Sequence, residues 1–174
     1  MSRQYYNMRR LRGIPYGFTL LEILIVMALA SVFVAVMIPD FNRVIPEMKV
    51  DKAARKLAID IRMAQQKAVS EMSTVWFWLD ADGNQYRTWV FDRNWNWSEL
   101  EDPLKSGTTL RVDFDEIDAF KDVDVVVGGW IRFNPLGSIN LPLKNVTYKL
   151  RHINTGYTRQ VFIDYPLGKV SVLP

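Results

Sequence analysis

Cysteine is absent from this 174-residue chain. No disulfide can staple it, and no thiolate can serve as nucleophile or metal ligand. Histidine occurs once, at His152. A lone imidazole without cysteine supports neither a zinc site nor a serine–histidine–aspartate triad. His152 follows Val146, Tyr148 and Leu150 in period two, which gives it a structural place on their face of a strand. No run of bases supplies the positive face expected of a general nucleic-acid binder. Internal repeats and low-complexity linkers are also missing. No constellation calls for a cofactor or for catalysis, so an enzyme is not expected.

What is present is one long apolar run. Arg9, Arg10 and Arg12 precede Gly17, and Phe18 to Ile38 is apolar but for Glu22 and a few small polar residues. A membrane-spanning helix takes about 20 mostly apolar residues. The basic flank keeps the N-terminus in the cytoplasm and directs the rest outward. Glu22 is out of place there, because a carboxylate at such a depth costs roughly 2.5–3.5 kcal/mol and marks a functional position. No base lies inside the run to pair with it. A cut after Gly17 would create one: Phe18 would gain a cationic amine one helical turn before Glu22, at the end of the helix dipole that favours a carboxylate.

Gly17-Phe18-Thr19-Leu20-Leu21-Glu22, set between a basic leader and an apolar helix, resembles the processing site of type IV pilins and type II secretion pseudopilins. The resemblance implies cleavage by a prepilin peptidase between Gly17 and Phe18. It also implies N-methylation of Phe18 and filament assembly guided by Glu22. Pro39 falls on the family's recurrent helix-kinking proline. The implied partners are the peptidase, other pilin-like subunits and an inner-membrane assembly platform. The implied place is the inner membrane, single-pass, with a periplasmic C-terminal domain, and the filament after assembly. Met8 offers a second start with a shorter leader. The same stretch also reads as an ordinary signal peptide cut after Ala30, which would release a soluble periplasmic β-domain binding protein. Residues 1–17 carry Arg3, Arg9, Arg10 and Arg12 and no acid, so processing turns a net charge of +3 into −1.

Three segments follow: a leader 1–17, a helix 18–73 and a β domain 74–174. Pro39 and Pro46 are expected to kink or loosen the helix. Beyond them Val50, Ala54, Leu57, Ile61, Ala64, Ala68 and Met72 recur at steps of three and four, an amphipathic stripe that a sheet must cover. Asp60 is placed with the charged residues on other faces. Thr74–Leu79 and Tyr86–Phe91 form a hairpin through Asp82-Gly83-Asn84. Residues 94–107 read as polar loop and Thr108–Phe114 as a third strand. Val123–Val127, Trp130–Phe133, Asn145–His152, Tyr157–Asp164 and Lys169–Leu173 follow. The fold class is α+β: a long N-terminal helix on an antiparallel sheet.

The order of Ala53–Val69, then Val75-Trp76-Phe77, then Phe133-Asn134-Pro135-Leu136-Gly137, then Gly168-Lys169-Val170 is similar to the GspH/FimT type of pilin-like protein. Gln65 and Gln66 depart from it, standing where an arginine is usual. Some FimT-like members bind DNA through an arginine after the closing glycine. Ser171 occupies that region here, so no nucleic acid is expected. The acidic segment 113–124 reads as a solvated loop or a calcium site. Trp76, Trp78, Trp89 and Trp130 are expected in or beside the core. Trp95 and Trp97, in a polar loop, either contact a partner or cap the sheet.

Overall fold

The computed structural model describes residues 17–91, 96–101 and 109–174; the side chains of residues 37–43 and of Leu141 lie outside the description. The chain divides after Pro39 into two compact units.

Helix α1 (Leu20–Ser70) starts at a reciprocal cap. The amide of Glu22 donates to Thr19 Oγ1 (3.2 Å), and the Thr19 amide donates to the Glu22 carboxylate (3.4 Å). This is the Thr-x-x-Glu capping box, which satisfies two of the amides a helix start leaves orphaned. The helix runs unbroken across Pro39 and Pro46. The kink expected at Pro39 concerns residues whose side chains lie outside the description.

In the second unit the stripe behaves as its spacing demands. Val50, Ala54, Leu57, Ile61, Ala64 and Ala68 are fully buried. Met72 is a correction: it is exposed and lies beyond the helix. The Ser73 amide donates to Ala68 O and the Met72 amide to Val69 O, with Met72 in the left-handed region (φ 48°). That is a Schellman termination, with methionine where glycine is preferred. Asp60 is a second correction. It is fully buried on the helical face that packs on the sheet.

Among the described residues the β domain forms two antiparallel sheets. Strands β1 (Thr74–Asp80) and β2 (Gln85–Phe91) make the expected hairpin. β3 (Trp97–Glu99) and β4 (Arg111–Asp113) lie end to end along the free edge of β2. Part of the expected loop is therefore strand, and the expected third strand shrinks to three residues. β5 (Val123–Val127) and β6 (Gly129–Phe133) belong to different sheets, although they are nearly continuous in sequence. β6 pairs with β1 and with β7 (Ile139–Leu141), a strand too short to be expected from the sequence. The first sheet runs β3-β2-β1-β6-β7, with β4 on β2. β8 (Val146–His152), β9 (Thr158–Asp164) and β10 (Lys169–Leu173) complete the second, in the order β10-β9-β8-β5.

The crossing between sheets passes through Gly128. A Cβ there would sit 2.3 Å from the Leu79 carbonyl oxygen, so the crossing hugs the backbone of β1 and no other residue fits. Asn84 (φ 45°) ties the sheets together at the first hairpin: its side chain donates to Val123 O (3.0 Å) and accepts from the Val125 amide (3.1 Å). Val75, Phe77, Leu79, Tyr86, Ile131 and Phe133 point from the first sheet into the core, and Tyr148, Leu150, Val161 and Ile163 from the second. Burial pushes the Tyr148 phenol well above its usual range. His152 is buried with them, as its period-two place requires.

Candidate functional site

The first candidate region is the helix start. Gly17 and Phe18 precede α1 and are exposed. Among the described residues, apart from its chain neighbours, none lies within 4 Å of where a Gly17 Cβ would be. Glu22, one turn along, reaches back to the Thr19 amide, the residue after Phe18. Sequence reasoning assigned this carboxylate only to an amine; the geometry gives it a capping role as well. From Leu20 to Val36 the described side chains are exposed on every face, Leu20, Ile23, Leu24, Met27 and Phe33 among them. Among the described residues no helix is long and apolar enough to cross a membrane.

A second region joins the scattered motif of the helix and the late turns. Gln65 Nε2 donates to the carbonyl oxygens of Gly137 (2.6 Å) and Leu167 (3.1 Å). Gly168 (φ 68°) closes the junction. A Cβ on it would meet Gln65 Nε2 at 2.7 Å and the Phe133 ring at 3.2 Å. Ala53–Val69, Phe133–Gly137 and Gly168 thus meet at one point, and the glutamine in the arginine's usual place is the residue that ties them. One turn earlier on the helix Arg62 donates to Val170 O (2.7 Å), and much nearer its start Asp51 pairs with Arg159 at 2.5 Å. That pairing raises the Arg159 guanidinium above its usual range, with the hydrogen bond to Asp51 the largest cause.

The acidic segment does not converge. Asp122 pairs with Lys49 (3.2 Å), Asp124 with Arg151 (3.0 Å), and Asp115 accepts from Asn84 (2.8 Å). Among the described residues no group of three or more carboxylates and imidazoles could hold a metal ion.

The tryptophans are the residues whose placement sequence reasoning resolved least. Alternation along β1, β2 and β6 sends the aliphatic and phenyl side chains inward, so Trp76, Trp78, Trp89 and Trp130 stand on the opposite face. They lie beside the core, across the sheet from it. Trp97 is in strand β3, not loop, and its ring meets Trp76 edge-on at 5.8 Å and Phe91 at 4.5 Å. It extends the outward layer rather than capping an end of the sheet. Trp95 lies outside the described residues.

The sequence model of the family described as type II transport protein GspH matches residues 53–164. Among solved structures, the chain is similar to the minor pseudopilin EpsH of the type 2 secretion system of Vibrio cholerae. The TM-score is 0.54 at 8% identity, covering 72% of this chain and 96% of that one. A second EpsH structure gives 0.50 at 10% identity, with 72% and 93% covered. The type IV minor pilin FimU of Pseudomonas aeruginosa gives 0.49 at 16% identity, with 72% and 88% covered. At these identities the likeness is one of fold. None of the curated proteins matches the sequence directly.

Proposed function

The chain belongs to the GspH family of type II transport proteins, and from that premise we propose that it is a minor pilin-like structural subunit, not an enzyme. It serves a type II secretion pseudopilus or a type IV pilus. A prepilin peptidase cuts the leader, residues 1–17, between Gly17 and Phe18, and Phe18 is N-methylated. Residues 18–73 anchor the subunit in the inner membrane and then carry the domain, with Pro39 as the expected kink. Residues 74–174 are periplasmic. Assembly proceeds through the N-terminal helix, against other pilin-like subunits and an inner-membrane platform.

One observation carries this reading. Between Leu20 and Val36 the helix is apolar but for Glu22 and Ser31, its side chains are exposed, and no described residue covers them. A helix of that kind is stable only when surrounded, by lipid or by helices like itself. A filament of such subunits supplies both environments in turn: lipid before assembly and a bundle of neighbouring helices after it. The amphipathic half, by contrast, is already covered by its own sheet, so the exported domain needs no partner for its core.

Mass spectrometry of the processed protein from cells containing the peptidase tests the reading. A methylated Phe18 at the N-terminus is expected. A mature chain starting at Ser31 would instead support release by signal peptidase and overturn the proposal.

A further inference from the structure

Among the described residues β5 and β10 are the two edge strands of the second sheet, and the chain treats them differently. On β5 the backbone groups that face away from the sheet belong to Val123 and Val125. Asn84 occupies both: its side chain donates to Val123 O (3.0 Å) and accepts from the Val125 amide (3.1 Å). One asparagine stands where a further strand would pair. On β10, Arg62 on the helix takes the Val170 carbonyl (2.7 Å), so that carbonyl faces away from β9. Val172, two residues on, turns its amide and carbonyl the same way. Neither group of Val172 has a partner among the described residues. An open strand edge is a template for pairing with another chain, and native folds usually blunt it.

This edge borders a groove of about 480 Å³ between β10 and α1. β10 runs back along the helix. Val170, near its start, lies at Arg62, and Leu173, at its end, pairs with Gln160, next to the Arg159 that reaches Asp51. Arg55, Ile59 and Arg62 all line the groove, spaced at i, i+4 and i+7 on one face of the helix. Ile59 is 51% exposed, an aliphatic side chain between two guanidinium groups. Asp51 is the one acidic side chain in the described lining, and Arg159 already meets its charge. Arg55 and Arg62 pair with no carboxylate among the described residues.

The open edge and the groove together specify an occupant. An extended segment added to β10 pairs its backbone with Val172 and turns alternate side chains toward the helix. Such side chains recur about every 6.6 Å. Arg55, Ile59 and Arg62 follow one another about 6 Å and 4.5 Å apart along the helix axis, a difference that long arginine side chains span. The complement is an acid, an apolar residue and an acid at alternate positions, since guanidinium groups take carboxylates in bidentate pairs. In this chain that pattern occurs once, at Asp118, Phe120 and Asp122. Phe120 is buried and Asp122 is held by Lys49 at 3.2 Å, so a second copy does not supply it. We propose that the free edge of β10 takes up, as an added strand, an extended segment of a partner protein in which two acidic residues flank an apolar one at alternate positions.

The test is titration of a fluorescein-labelled nonapeptide with the full chain in a non-ionic detergent. The central residues of the peptide are glutamate, threonine, valine, threonine and glutamate, and anisotropy is the readout. A saturable rise is expected, weakened by salt and lost when lysine replaces glutamate. N-methylation of one set of alternate peptide amides should abolish binding, and of the other set should leave it, as a strand paired along one edge requires. Val172→Pro removes the open amide without touching a bond to β9, a place where an edge strand tolerates proline. It should weaken binding tenfold or more while melting as the wild type does. Arg55→Glu, on an exposed side chain, should do the same, whereas Lys144→Ala should change nothing. No saturable response overturns the proposal, as does one that survives both Val172→Pro and Arg55→Glu. Binding that is lost with either set of methylated amides, or with neither, also overturns it. Self-association that Val172→Pro abolishes, with the peptide silent, gives the edge to a second copy instead.

Discussion

The phenol of Tyr86, on the inner face of the first hairpin, donates a hydrogen bond to the carboxylate of Asp60, which is fully buried on the helix. Lys56, one turn earlier, reaches the same carboxylate with Nζ 2.6 Å from each oxygen. The helix is thus docked on the sheet by a polar contact set within an apolar interface. In low dielectric such a group is costly unless its hydrogen bonds are made.

Removing only the hydroxyl should therefore destabilise the domain more than its size suggests. Tyr86→Phe is expected to cost about 1–3 kcal/mol, the penalty for under-satisfying a buried polar group. Urea denaturation should show a lower midpoint with an unchanged slope. Replacing Asp60 by Asn as well should recover part of the loss, because a neutral amide is cheaper to bury than a charge.

The apolar part of the same interface is less forgiving. Leu57 and Ile61 are both fully buried against the sheet. The double variant Leu57→Asp, Ile61→Asp loses two core side chains, at about 2–5 kcal/mol each, and buries unpaired charge besides. That exceeds the stability of most domains. Limited proteolysis should find no resistant fragment; a resistant, soluble fragment would mean that the stripe faces something other than its own sheet.

The end of the helix offers a gain. Met72 is exposed and holds φ 48° at the position where glycine is preferred. Met72→Gly relieves the left-handed strain and should stabilise the domain by about 0.5–1 kcal/mol, within the range of cap optimisation. A thermal melt reads this directly, and an unchanged or lower midpoint would contradict the assigned termination.

At the other end, Glu22 has two roles that different substitutions separate. Glutamine can still accept the Thr19 amide, so Glu22→Gln keeps the cap and loses only the charge. Alanine loses both. If the carboxylate pairs with the Phe18 amine of a neighbouring subunit, either change should leave cleavage after Gly17 intact and cut assembly a hundredfold or more, since breaking one side of a buried pair costs about 3–5 kcal/mol. Crosslinking to other pilin-like subunits, with processing followed in the same cells, measures this. Wild-type crosslinking by the Gln variant would reduce Glu22 to a helix cap.

The helix stripe and the two long hairpins were legible because their periods are strict: Val50 to Ala68 at three and four, Val75 to Leu79 at two. The Thr19–Glu22 capping box was legible because its two residues stand at fixed spacing in one contiguous stretch. Legibility failed where the deciding partner is remote. Asp60 looks like any helical surface acid until Tyr86, 26 residues away, is placed above it. Gln65 reads as a departure until its acceptors arrive, 72 and 102 residues later. The face of the tryptophans was hidden for another reason. In Val75-Trp76-Phe77-Trp78-Leu79 both sets of alternate residues are apolar, so a binary pattern cannot say which set goes inside. β3 and β7, three residues each, are too short to establish any period.

That two-sided apolar strand has a genetic consequence. In β1 an insertion of one codon leaves composition and hydropathy almost untouched, yet shifts every later residue to the other side of the sheet. An insertion between Val75 and Trp76 would turn Trp76 and Trp78 toward the helix, into space shaped for Phe77 and Leu79, and turn those two outward. Substitutions along β1 can be absorbed one face at a time, so the helix-packing surface and the tryptophan surface are free to diverge separately between relatives. Changes of length cannot be absorbed in this way, and insertions and deletions in this lineage should fall in the connections around β3 and β4, leaving β1 at constant length.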